Sequence, residues 1–257
     1  MEGSELIKWM LVFLRVSALF AVFPLFSLPN IPVALRVALG ALLTLLICPL
    51  TPPLAATPTH FLDLVLLMAR EIGCGLLLGF VSRIFFHLLE FAGSIIGMEL
   101  GLNLASTLNP FSAARSDATG MILFYLGSII FLSLNLHHWL ILAVQRSFTI
   151  APLGGGGWGA GVTSELASRT SEIFRIGLLM AIPVIAASFL INLVFSVIGR
   201  AVPQMNIFVE SMGIRIVAGL LVFALTLHLL AGHIASYLGR LPQDFLRVAQ
   251  LFAQPGQ

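Results

Sequence analysis

Arg70, Glu71, Arg83, Glu90, Glu99 and Arg115 lie between Asp63 and Asp117, in a stretch that otherwise stays apolar. Carboxylates and guanidinium groups in such surroundings could line a pore or ion path or pair across a protein interface. Placing an ionisable group at membrane depth costs about 2.5–3.5 kcal/mol on insertion scales, so such a group faces protein, an opposite charge or water. The segment therefore faces something other than lipid.

Glycines recur every four residues through the same region, at Gly75 and Gly79 and then at Gly93, Gly97 and Gly101. On a helix that spacing aligns them in one stripe and lets another backbone approach closely. Glu71, Gly75, Gly79 and Arg83 share the spacing, which puts charge and small residues on one face. Two readings stay open: an interface or pore-lining face, or packing within the chain with the charges reaching for a membrane boundary.

Other residue patterns point away from catalysis. The run LGGGGWGAG, 153–161, has the glycines of a phosphate cradle but no following Lys-Ser/Thr pair, so it reads as a flexible connector. His137 and His138 precede Trp139; adjacent histidines point to different sides of a helix, and a membrane-interface belt explains HHW better than a metal site. GxSxG and HExxH do not occur. Cys48 and Cys74 sit in apolar runs and read as buried small side chains. No enzyme activity, cofactor or metal is expected.

The elements that must position these groups follow from composition. Of 257 residues 59% are hydrophobic and 9% charged, with a mean hydropathy of +1.05. A soluble domain carries roughly 25% charged residues, so the chain is membrane-directed. A net charge of +2 from 13 scattered Lys and Arg is no nucleic-acid footprint. Residues 16–35, 37–62, 118–145, 176–199 and 216–239 contain no Asp, Glu, Lys or Arg. Each is long enough to cross a hydrocarbon core as a helix, which takes ~20 residues. Prolines from Pro49 to Pro58 end the second helix near Leu50. A sixth, charge-bearing helix is expected from about Phe61 to Phe86. The run Trp9–Phe26 reads as a retained helix because MEGSELIK carries two Glu against one Lys and no clean cleavage site follows. LPNIP, 28–32, and GRAVPQMNIF, 199–208, turn one helix into the next. The expected fold is all-α and membrane-associated, built of about six apolar helices in long hairpins: 1–60, 61–165 with a polar loop at 108–120, and 166–257. Loop charges favour an external position for 51–60, which has no Lys or Arg.

The run NLVFSVIGRAVPQMNIF, Asn192 to Phe208, resembles the late hairpin turn of the flagellar export-gate FliR family and of its counterparts, the T subunits of type III secretion export gates. There an R-x-x-P-Q-x-N-x-F pattern joins two apolar helices, and Arg200, Pro203, Gln204, Asn206 and Phe208 match it. Leu14 to Gly40 is similar to the family's N-terminal hairpin, with Arg15, Pro24, Pro32 and Arg36 in place. Glu90 to Pro110 is similar to its central segment, although Glu99 stands where Gln is common and Asn109 where Asp is common.

The resemblance implies a FliP-like part followed by a FliQ-like hairpin. It also implies a core subunit of the inner-membrane export gate, assembled with FliP and FliQ homologues and an FlhB homologue, through which unfolded proteins pass. The loop 108–120 becomes the plug, with Asn109, Pro110, Phe111, Ser112, Arg115, Ser116 and Asp117 obstructing the closed pore. Irregular backbone at such depth survives where it lines a water-filled cavity. The 199–208 elbow becomes an assembly turn, in which Pro203 fixes the chain and Gln204 and Asn206 satisfy helix ends or a neighbouring subunit. The alternative from another functional class is a small secondary transporter or ion channel using Arg70, Glu71, Glu90 or Glu99.

Overall fold

A computed structural model describes residues 2–28, 30–54, 58–102, 117–202, 204 and 206–254, with the backbone alone at Glu2 and 207–209. Among the described residues the chain is helical and has no strand. Among these residues eight α-helices follow one another: α1 Glu2–Val22, α2 Val33–Ile47, α3 Phe61–Leu100, α4 Ala118–Ser133, α5 Leu136–Ile150, α6 Ala160–Ala201, α7 Ile207–Leu238 and α8 Leu241–Ala253.

Several boundaries differ from the charge-free runs, each for a local reason. α1 stops at Val22, ahead of the expected Phe26, because Pro24 cannot continue the hydrogen-bond ladder. The turn after it is clamped by Arg36, whose guanidinium donates to the carbonyls of Leu28 (3.0 Å) and Ile31 (3.1 Å). α2 passes into a 3-10 turn at Cys48–Leu50, as Pro49 requires. α3 runs on to Leu100, well beyond Phe86, so the charges from Asp63 to Glu99 belong to a single 40-residue helix. The apolar run 118–145 is not one helix. It breaks at Leu134 and Asn135, and Asn135 adopts φ +54°, the left-handed region in which Asn is one of the few tolerated side chains. α6 carries Pro183 within its 42 residues.

α3 ends in a glycine cap rather than in a continued stripe. Gly101 has φ +74°, its N–H donates to the carbonyl of Met98 (3.0 Å), and that of Leu102 donates to Gly97 (3.0 Å). This double bond pattern closes a helix on a left-handed residue. Gly93 and Gly97 therefore lie on the helix, and Gly101 lies past its end.

The chain divides into two compact units. The first comprises 1–85, 131–171 and 237–257. Its interior is built on Leu11, Leu19, Phe23, Leu78, Phe148, Phe245 and Phe252, all at most 1% exposed. Within it α1 packs on α2 and α5 on α8. The second unit comprises 86–130 and 172–236, with Phe86, Leu89, Ile96, Leu100 and Leu123 buried and Phe86 against Phe124 at 5.4 Å between ring centres.

Among the described residues four stretches are long and apolar enough to cross a membrane: 33–50, 61–100, 160–201 and 210–253; α4 and α5 add a fifth if the broken pair counts as one span. In their most apolar windows only 17–39% of residues are buried by the chain itself. Apolar helix surface of that extent needs lipid or other subunits against it.

Candidate functional site

Arg15 and Glu71 form the centre of the first unit. Both side chains are 1% exposed, and Arg15 Nε donates to Glu71 Oε2 at 2.6 Å. The remaining guanidinium nitrogens are also occupied. Nη1 donates to the carbonyl (3.3 Å) and hydroxyl (3.4 Å) of Ser147, and Nη2 to the carbonyl of Ala151 (3.0 Å). The ring of Phe148 lies 4.2 Å beneath the guanidinium carbon. A buried charge is tolerated when it is paired and its hydrogen-bonding capacity is filled, and this pair meets both conditions.

The α1–α3 approach that brings the two charges together is made by the first glycine pair. A Cβ on Gly75 would run into the carbonyl oxygen of Arg15 and the methyl of Ala18. One on Gly79 would stand 2.8 Å from the carbonyl of Leu19 and 3.0 Å from Cβ of Val22. Glycine is needed at both positions because backbone, not flexible side chain, fills the space. Within this unit the stripe serves packing inside the chain.

The glycine run after α5, expected as a flexible connector, is tied on both sides. Gly154 N–H donates to Glu71 Oε1 (2.9 Å), and its carbonyl accepts from Arg70 Nη1 (2.9 Å). Gly157 N–H donates to the carbonyl of Phe252 (2.9 Å), satisfying an orphan acceptor at the end of α8. Gly154 at φ +77° and Gly156 at φ +90° supply backbone conformations that other residues rarely adopt. Adjacent neutral peptide groups thus link α3 to the last turn of α8.

A second seam lies in the other unit. Gly93 faces the backbone of Gly120, leaving no room for a Cβ, and the Thr119 hydroxyl donates to the carbonyl of Gly93 (2.6 Å). Asp117 caps α4: its Oδ1 accepts from Gly120 N–H (3.1 Å) and from the Thr119 hydroxyl (3.3 Å). The other residues proposed for the plug, Asn109, Pro110, Phe111, Ser112, Arg115 and Ser116, lie outside the described residues.

The other described charges of the central segment fall in both units. Arg70 and Arg83 are exposed, Glu90 is exposed and bonded to His87 Nδ1 (2.8 Å), and Glu99 is half-buried with its carbonyl accepting from the Ser188 hydroxyl (3.2 Å). In the elbow Arg200 and Gln204 are exposed, and the carbonyl of Asn206 accepts the first amide bond of α7, from Glu210 (3.1 Å). Pro203 and the side chain of Phe208 lie outside the described residues. The rings of His137 and His138 do not point apart; their centres are 4.1 Å from each other. Among the described residues no group of three or more metal-ligating side chains comes together.

Two features had little sequence signal. Arg15 and Glu71 are charges of opposite sign in apolar surroundings, which hints at pairing without naming the partner, and Arg70 beside Glu71 is as plausible a partner in sequence. Glu165, Arg169, Asp244 and Arg247 form an ion network in the first unit: Arg169 bonds Glu165 (2.9 Å) and Asp244 (2.7 Å), and Arg247 reaches Glu165 (3.2 Å). It joins α6 to α8, and only the Glu165–Arg169 spacing of four was legible beforehand.

Residues 6–241 match the family model described as bacterial export proteins, family 1. The chain belongs to this family. It is 30% identical over 237 residues to the flagellar biosynthetic protein FliR of Pectobacterium carotovorum subsp. carotovorum, covering 91% of this chain and 90% of the relative. Against the protein of the same name from Escherichia coli (strain K12) the identity is 30% over 218 residues, covering 85% and 83%. The family is not confined to proteins named for flagella. The Yop proteins translocation protein T of Yersinia pestis is 30% identical over 215 residues, covering 82% of each chain. The conspicuous internal features of this member of the export family, a neutralised charge pair and two glycine seams, hold helices together; none forms a catalytic constellation.

Proposed function

We propose that this chain is a core subunit of the type III protein export gate in the bacterial inner (cytoplasmic) membrane, within a flagellar basal body or secretion apparatus. With FliP and FliQ homologues it forms a closed channel for unfolded proteins, with an FlhB homologue at the entrance. The observation that carries this reading is the near-full-length similarity to relatives named for flagellar biosynthesis and for translocation. The uncovered apolar helix faces are compatible with it, since they need lipid or neighbouring subunits against them.

In this reading the loop 108–120 is the plug of the closed pore, and the 199–208 elbow seats the chain against a neighbouring subunit. The 1–60, 61–165 and 166–257 hairpins are its building blocks. The transporter alternative loses support from the pairing of its charges: Glu71 is neutralised by Arg15, and Glu90 is bonded to His87.

Co-expression with FliP and FliQ homologues, purification through a tag on this chain and native mass determination test the proposal. One large complex holding a single copy of this chain is the expected result. Recovery of this chain only as a partner-free monomer or dimer despite co-expression of the homologues overturns it.

A further inference from the structure

We propose that the cleft between α5 and α8 is a binding site for an anionic phospholipid. The cleft has a volume of about 350 Å³, and its lining combines Trp139, Arg146 and Gln243 with the apolar Leu136, Leu142 and Leu246. That volume is within the range of ligand pockets, and an apolar wall with a few convergent polar groups is their usual chemistry.

The charge of the cleft selects the ligand. Arg146 is exposed, and its guanidinium makes no hydrogen bond or ion pair among the described residues. Three other cations of this unit are already paired with carboxylates: Arg15 with Glu71, Arg169 with Glu165 and Asp244, and Arg247 with Glu165. Asp244, the acidic residue next to Gln243, is thereby held by Arg169 and does not cancel Arg146. Arg240, adjacent to the lining Gly239, is a further exposed cation; its guanidinium lies over the Tyr237 ring at 5.5 Å.

A phosphate group fits this excess of positive charge, and basic pockets between helices are recognised sites for anionic headgroups. An acyl chain fits the leucines. Trp139, 53% exposed, combines an apolar ring with an N–H donor and suits the boundary between headgroup and hydrocarbon. A soluble anion would use Arg146 and leave the leucines bare to water. The site concerns this chain and the membrane alone and is independent of the export reading.

The full-length chain in mild detergent is titrated with phosphatidylglycerol, with phosphatidylcholine of the same acyl chains and with glycerol 3-phosphate, and bound molecules are counted by native mass spectrometry. The lipid site predicts retained phosphatidylglycerol, about tenfold weaker phosphatidylcholine and no retained glycerol 3-phosphate. Arg146→Gln lowers phosphatidylglycerol occupancy about five- to tenfold without changing phosphatidylcholine, and Arg146→Lys restores most of it. A photo-crosslinking phosphatidylglycerol on the unsubstituted chain labels residues 136–146 or 239–246, which decides the matter even if a variant fails to fold. Equal retention of the two lipids, labelling elsewhere, or glycerol 3-phosphate held as well as the lipid overturns the proposal.

Discussion

Arg15 and Glu71, 56 positions apart in the chain, meet at 2.6 Å with 1% of either side chain exposed. Because every polar contact of the pair ends on protein, its parts are not interchangeable. Arg15→Ala leaves a buried carboxylate with only Gly154 N–H for company, and Glu71→Ala leaves a buried guanidinium without its counter-charge. Each change is expected to destabilise the isolated chain by roughly 3–5 kcal/mol, read as loss of thermal stability in detergent. The double replacement Arg15→Leu with Glu71→Met is expected to be less damaging than either Ala variant. A double substitution as costly as the sum of the single ones would show that the two charges do not act as a pair.

The glycines differ in what a Cβ would meet. At Gly75 and Gly93 it would meet backbone, whereas at Gly213 and Gly232 nothing lies within 4 Å. Gly75→Ala and Gly93→Ala are expected to lower stability by about 1–3 kcal/mol, the usual cost of overpacking. Gly213→Ala is expected to raise the stability of the isolated chain by about 0.5–1 kcal/mol through helix propensity. Thermal unfolding of these variants side by side checks the contrast.

Asp117 links the start of α4 to the Gly93–Gly120 seam. Asp117→Ala removes the acceptor for Gly120 N–H and is expected to cost about 0.5–2 kcal/mol, while Asp117→Asn retains most of the capping. Hydrogen exchange at the first turn of α4 is the direct readout: it quickens in the Ala variant and stays near the original rate in the Asn variant.

Gly156, at φ +90° beside the carbonyl of Phe252, holds the glycine run close to the end of α8. Gly156→Val places a β-branched residue in a conformation it avoids and forces a shift against that backbone. Faster hydrogen exchange and earlier proteolytic cleavage in 241–253 are expected, with the second unit unaffected. Unchanged protection of α8 would separate this loop from the helix.

On the export reading, deletion of 109–117 opens a path for small ions. Cells carrying the deletion within an assembled gate are expected to show higher membrane conductance or slower growth in high salt than cells with the intact loop. An assembled complex that leaks no more than the original would remove the plug from the proposal.

Much of this protein was legible in its residues because lipid imposes a narrow solution. Long charge-poor runs must become helices that satisfy their own backbone, so the all-α class and most helix positions followed from where Asp, Glu, Lys and Arg fall. The R-x-x-P-Q-x-N-x-F run at 200–208 pointed to the family that the match over 6–241 bears out. Backbone breaks were harder to read: a run of apolar residues reports hydrophobicity, not φ, and so the left-handed Asn135 inside 118–145 was missed.

Pairing was beyond the sequence for a related reason. A charge in an apolar run says that it needs a partner, but the partner is chosen by which helices approach closely enough, and that depends on glycines meeting a particular backbone. Glu71 was recognisable as a residue that must face protein. Only the tertiary structure decided that it faces Arg15, that Gly154 completes its coordination and that the glycine run is fastened to α8, because contacts between residues 56 to 95 positions apart are set by packing and not by local pattern.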